Sequence, residues 1–230
     1  MKLAHSVFSK PIYFAENQIQ LLIIESPSLY RQLVFELINQ SEGQKGEFIL
    51  SFNGDPLDCA EHLHIIYDFF HLAPEGRKLL NKFQTQTQYL IKSQLSTQTS
   101  ELEHNISRYL EQLQFICAPA AFEENDYISA LLKGVKFGPA LEEGTHLERL
   151  ISHINIYNSL ITGQCFILIG AKAFFEPEEL VRLYHWALGS KCRLLLLEAC
   201  PSPLLKYEHP LILDRDMCEI YLDSYNEYTL

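Results

Sequence analysis

The chain is short of bases. Its 18 lysines and arginines stand against 29 aspartates and glutamates, a formal net charge of −11 over 230 residues. A surface of that sign repels phosphate and counts against a protein coated with nucleic acid. Glycine is scarce too, at 10 residues, and is missing where it would matter most. The apolar run IQLLIIE (Ile19 to Glu25) leads into SPSLYRQL, with no glycine and no Gly-Lys-Ser/Thr. A Walker loop needs glycines so that backbone N–H groups can wrap phosphates, and a lysine to reach the terminal ones, so that mechanism is excluded here. The Rossmann G-x-G-x-x-G is absent as well, and Gly134 and Gly138 of KGVKFG do not sit between a buried strand and a helix. No nucleotide cofactor is expected. No apolar run approaches the ~20 residues that span a bilayer. The opening MKLAHSVFSKPIYF lacks the pattern of a signal peptide, so a cytoplasmic protein with no membrane partner is expected. The six cysteines, Cys59, Cys117, Cys165, Cys192, Cys200 and Cys218, form no C-x-x-C pair. Disulfides and a closed zinc site are therefore not expected, and the thiols read as free and buried.

What is present is the material of an α/β core: 47% hydrophobic and 20% charged residues. His5 to Phe8, Ile12 to Phe14 and Ile19 to Ile24 read as extended, the last as a strand buried on both faces. Ser26 is placed to cap a helix that begins at Pro27 and carries Leu29, Leu33 and Leu37 at helical spacing. A strand over Glu47 to Phe52 ends at the turn Asn53-Gly54-Asp55-Pro56, and Leu63 to Phe70 reads as another strand. Two helices follow, from Pro74-Glu75 to about Lys92 and from Ser100 to about Ile116, the second with an apolar stripe from Leu102 to Ile116. A short helix ends at Gly134 and a longer one runs over Glu142 to Leu160. The tail is strand, helix, strand: Cys165 to Gly170, a helix from Pro177 with Gly189 as its cap, and Cys192 to Glu198. Cys218 to Leu222 is the last strand. The fold class expected is α/β: a head of residues 1–71 and 119–230 with a mostly parallel sheet, interrupted by a helical arm over 72–118.

Several residues could carry chemistry. His62 and His64 of EHLH would share one face of a strand, as a metal-binding or base pair or as satisfied surface histidines. Glu198 ends a buried strand, where active-site acids often lie, yet has no visible partner. Asp214 and Asp216 read as turn residues. Glu123, Glu124 and Asp126 form an oxygen-rich cluster before a helix, suited to a hard cation or to a helix start favoured by the macrodipole. The first arm helix holds Arg77, Lys78, Lys82 and Lys92 with no acid after Glu75. At about 100° per residue, Lys78, Lys82 and Lys92 fall within roughly 80°, opposite Leu79, Phe83 and Leu90. That face is either solvated or a surface that tracks a phosphate backbone.

The order KPIYFAENQIQLLIIESPSLYRQLVFEL, then FEENDYISALLKGVKF, then HINIYNSLITGQCFILIGAKAFFEPEELVRLYHWAL, CRLLLLEACP and HPLILDRDMCEIYL resembles the small accessory protein of type II-A CRISPR adaptation, the Csn-type family. The resemblance covers nearly the whole chain. It implies a degenerate P-loop-NTPase-like head without a phosphate loop, with an inserted helical leg. It implies a homotetrameric ring whose lysine-lined hole holds double-stranded DNA, preferentially at ends. It implies no enzymatic activity, and partnership with the CRISPR integrase and effector nuclease in new spacer acquisition. Carried onto this chain, the DNA-binding residues are Arg77, Lys78, Lys82, Lys92 and Lys136, and calcium would be held by Glu123, Glu124 and Asp126. The arm departs in being poor in lysine and rich in Gln and Thr. The alternatives are an α/β hydrolase or nucleotide-dependent enzyme using Glu198 or His62/His64, and an oligomeric scaffold that binds only protein.

Overall fold

The structure is a computed structural model that describes residues 1–15, 17–117, 119–121 and 126–221. The chain divides into two compact units, Met1–Ala73 with Leu141–Leu230, and Pro74–Ala140. The first unit is the head. Strands β1 (Lys2–Ala4) and β2 (Ile12–Tyr13) open it, followed by β3 (Ile19–Ile24) and helix α1 (Pro27–Ser41). The Ser26 side chain accepts from the Leu29 N–H with Pro27 in the first turn, and Leu29, Leu33 and Leu37 are buried. Strands β4 (Ile49–Phe52) and β5 (Asp55–Leu57), the short α2 (Cys59–His62) and β6 (Leu63–Ile66) complete its N-terminal part.

After the second unit come α6 (His146–Leu160), β7 (Cys165–Ile169), α7 (Ala171–Phe174), α8 (Pro177–Gly189), β8 (Arg193–Glu198), β9 (Glu208–Leu213) and β10 (Glu219–Tyr221). A capping box between Thr145 and Glu148 starts α6, and one between Glu176 and Glu179, with Pro177, starts α8. The main sheet has the order β10-β9-β3-β8-β7-β6. Its four pairings from β9 to β6 are all parallel, and β10 alone runs antiparallel. Residues of β7 and β8 are buried on both faces, which explains their unbroken apolar runs. One face, with Leu22, Ile24, Ile167, Leu195 and Leu213, packs with α1 and with the inner side of a small sheet of order β2-β1-β4-β5.

The second unit is helical: α3 (Arg77–Gln94), α4 (Ser96–Ile116) and α5 (Tyr127–Gly134). Residues 119–121 and 126–140 cluster with these helices, where the sequence reading placed them in the head. Leu95 alone separates α3 from α4, a tighter turn than the polar stretch up to Ser100 suggested.

Four elements differ from expectation in the head. His5 to Phe8 is a turn, with the His5 ring buried against Phe48, and the strand is Lys2–Ala4. Asp55 and Pro56 belong to a strand, because Asn53 and Gly54 both take positive φ (52° and 97°) and make a two-residue hairpin turn on their own. The strand from Leu63 stops at Ile66. Strand β9 was not expected, because Pro210 argues against a central strand. It pairs in parallel with β3 from Glu208 to Leu213 and, among the described residues, with β10 over Leu211 to Leu213.

Candidate nucleic-acid interface

The arm builds its basic surface from α3. Its apolar residues fall on one side, and Leu79 is buried. Phe83, Leu90 and Ile91 line a groove of ≈ 510 Å³ with Leu102 of α4 and Leu131 and Leu132 of α5. The rest of α3 is free to carry charge. Arg77, Lys82 and Lys92 are exposed and Lys78 is half-buried. Along the axis, Arg77 and Lys92 stand about 22 Å apart at 1.5 Å per residue, several phosphate spacings of a duplex. Lys136, in a left-handed turn just past α5 (φ 53°), lines a second groove of ≈ 590 Å³ with Gln84 and Gln88 of α3. By helical position these glutamines lie beside Arg77, so Lys136 extends the band around the unit. Lys133 lines the same groove and was missed by sequence reasoning. It lies in the last turn of α5, where a base also favours the helix dipole, so its presence in sequence did not stand out.

Helix stability does not explain the first two bases of α3. Arg77 and Lys78 occupy the first turn of α3, which has no acid and no side-chain cap. Cations at the positive end of a helix cost a few tenths of a kcal/mol. A fold-neutral sequence would place acids there.

Asp126 caps α5. Its Oδ1 accepts from the Ser129 N–H at 2.9 Å and its Oδ2 accepts from the Ser129 hydroxyl at 2.6 Å. These hydrogen bonds, with a smaller contribution from the Lys92 ammonium, hold its carboxyl below the usual range, so it is ionised at neutral pH. The carboxylate is exposed and keeps lone pairs for a cation. Glu123 and Glu124 lie outside the described residues. No group of three or more His, Cys, Asp or Glu side chains that could hold a metal occurs among the described residues.

A family model described as "CRISPR-associated protein (Cas_Csn2)" matches residues 40–217. The chain belongs to the Cas_Csn2 family. Among solved structures it is similar to the crystal structure of Stu0660 of Streptococcus thermophilus, with a TM-score of 0.62 and 13% identity, covering 97% of this chain and 77% of that one. That likeness is one of fold. No curated protein matches the chain.

In this Cas_Csn2 head the residues considered for catalysis do not come together. His62 and His64 do not share a strand face, since His62 ends α2 and its Nδ1 lies 3.3 Å from the Gly163 carbonyl. His64 Nε2 is 2.9 Å from His153 Nε2, and its ring stacks on Tyr157 at 3.9 Å between centroids. Burial lowers the pKa of His64 to about 3, helped by the His153 charge, and that of His153 to about 4. Both are neutral core histidines at pH 7. Of the six thiols only Cys59, Cys165 and Cys192 are buried; Cys117, Cys200 and Cys218 are exposed, against the expectation for all six, because they stand in turns or at a helix end. All six are free.

Glu198 does end β8, and it is 5% exposed. Its Oε1 accepts from the Lys172 N–H at 2.9 Å. Burial pushes its pKa up to about 7, opposed by that hydrogen bond and the Lys172 charge. Next to it lies a network that sequence reasoning missed. Lys172 Nζ donates to both oxygens of Glu208, at 3.0 and 2.8 Å, and to the Pro203 carbonyl at 2.9 Å. The Tyr184 hydroxyl donates to Glu208 Oε1 at 2.7 Å and the Leu205 N–H to Oε2 at 2.8 Å. Glu208 is fully buried. Its lone pairs are spent on these donors, and the group ties α7, α8 and the loop before β9 together. It reads as structural.

Proposed function

We propose that the chain is a non-catalytic, sequence-independent binder of double-stranded DNA in CRISPR adaptation. Four copies would close a ring, the arm bases would face its hole, and the assembly would take DNA by its ends for the integrase and the effector nuclease. Family membership supports the CRISPR setting. The observation that carries the DNA reading is the basic band of the arm, with Arg77 and Lys78 placed against the helix dipole in a chain of net charge −11. Phosphate contacts need charge in a row and no sequence code. Symmetry would repeat the band on every subunit while the acidic remainder repels DNA from the outside. Calcium would be held by Asp126 with Glu123 and Glu124, and would support assembly.

The test is fluorescence anisotropy on several linear duplexes of unrelated sequence. Lys78→Glu with Lys82→Glu should weaken binding to all of them by at least about tenfold and flatten the salt dependence. Unchanged binding would remove the arm from the interface. A protein-only scaffold is the second reading, favoured by the exposed apolar end of α4, where Phe115 is 91% and Ile116 78% exposed. Assembly without any DNA affinity would establish it instead.

A further inference from the structure

The carboxyl end of the main sheet carries a second feature, separate from the DNA reading. From β3 the chain leaves through α1 toward β6 at one edge of the sheet; from β8 it crosses to β9 on the other side of β3. The connections of the neighbours β3 and β8 thus run in opposite directions. Parallel sheets bind ligands in the crevice opened at such a point, outside the carboxyl ends of the strands. Here the crevice is a cavity of ≈ 400 Å³, within the range of small-molecule sites. Glu25 and Pro27 follow β3, Cys200 and Pro201 follow β8, and Arg215 follows β9; Tyr30 and Arg31 come from α1.

The two guanidiniums make the cavity distinctive. Arg31 and Arg215 are exposed, and neither has an ion pair or hydrogen bond among the described residues. In a unit with a large acidic excess, two arginines on one crevice with no partner among the described residues need a reason. Guanidinium groups offer paired donors that match phosphate oxygens. Glu25 is the opposing charge in the lining. It accepts hydrogen bonds, so it suits a hydroxyl donor better than a second anion. The Tyr30 ring, Pro27 and Pro201 supply apolar faces for a flat group.

We propose that this crevice binds a small phosphate monoester bearing hydroxyl groups, of nucleoside-monophosphate size, with Arg31 and Arg215 on the phosphate and Glu25 on a hydroxyl. The site differs from a Walker loop in using side chains instead of a glycine-wrapped backbone, and only binding is assigned to it. The same chemistry has two sources, a free nucleotide or the 5′-phosphate of a DNA end.

Isothermal titration of the full chain with adenosine 5′-monophosphate, adenosine and inorganic phosphate tests it. The monophosphate should bind saturably, more tightly than inorganic phosphate, and adenosine should not bind. Arg31→Ala and Arg215→Ala should each weaken the monophosphate by about tenfold or more, as expected for loss of a charge-assisted contact, while Arg108→Ala on the arm should not. The Lys78→Glu, Lys82→Glu variant should bind it as the parent does, which separates this site from the arm. No binding of the monophosphate, or binding by either arginine variant as tight as the parent's, overturns the proposal. Displacement by a short duplex with a 5′-phosphate but not by its 5′-hydroxyl form assigns the ligand to DNA ends; no displacement by either assigns it to the free nucleotide.

Discussion

The head and the arm are built on opposite terms. Within residues 74–140 there are seven bases and seven acids, which leaves 11 bases against 22 acids for the rest, so the head carries the whole net charge of −11. The head also carries nearly all of the buried core, with β7 and β8 closed on both faces. The arm buries Leu79 on α3 and no residue of α4 or α5. A unit with apolar stripes left open and its charges sorted to one side is shaped by what it will meet. A unit with a closed core and an excess of one charge is shaped to stand alone and to repel.

That contrast can be broken most severely from inside the head. Lys172→Met leaves Glu208 buried without its ammonium and should cost about 3–5 kcal/mol in urea unfolding. The double change Lys172→Met, Glu208→Gln should recover a large part of it. Leu196→Ala, in a strand buried on both faces, should cost about 2–5 kcal/mol. Leu102→Ala on the half-open arm should cost less than either, about 1 kcal/mol. A loss as large from Leu102 as from Leu196 would mean that the arm has a closed core after all.

Acid should act on the head in two directions. His64 and His153 have folded pKa values below the ordinary 6.5, at about 3 and about 4. The unfolded state therefore binds more protons, and their contribution is lost as pH falls from 6.5 toward 4. Glu198 is opposite: its folded pKa of about 7 lies above 4.5, so its contribution is present below pH 4.5 and lost as pH rises to 7. Urea midpoints from pH 4.5 to 7 should rise more steeply in Glu198→Gln than in the parent. An unchanged slope would mean that the Glu198 carboxyl titrates normally. The smallest effect on stability is expected from Phe115→Ser at the open end of α4, within about 0.5 kcal/mol of the parent. Light scattering should nevertheless show a lower assembled mass for it. An unchanged mass would place that apolar end outside any subunit contact.

The parts of the fold governed by local rules were readable in the chain. Ser26-Pro27 starts α1, and the apolar runs of β3, β7 and β8 are buried as their composition requires. What depends on partners far along the chain was not readable. Strand β9 hides behind Pro210 until its parallel pairing with β3 is known. Lys172 and Glu208 are 36 residues apart, one past a strand and the other at the start of a hidden strand, so nothing local links them. His64 lies 89 residues from His153, and only the fold turns this member of the proposed His62/His64 pair into a core contact. On the arm, the sorting of Arg77, Lys78, Lys82 and Lys92 away from Leu79 and Phe83 was legible, because a single helix fixes it.

The central claim is that duplex DNA is taken by its ends into a hole lined by the arm. Binding of one sequence as a linear duplex and as a covalently closed circle, at one salt concentration, addresses it most directly. The account predicts retention of the linear form and loss of the circle, with the circle regaining binding after a single cut. Equal affinity for the closed and the cut forms would contradict it.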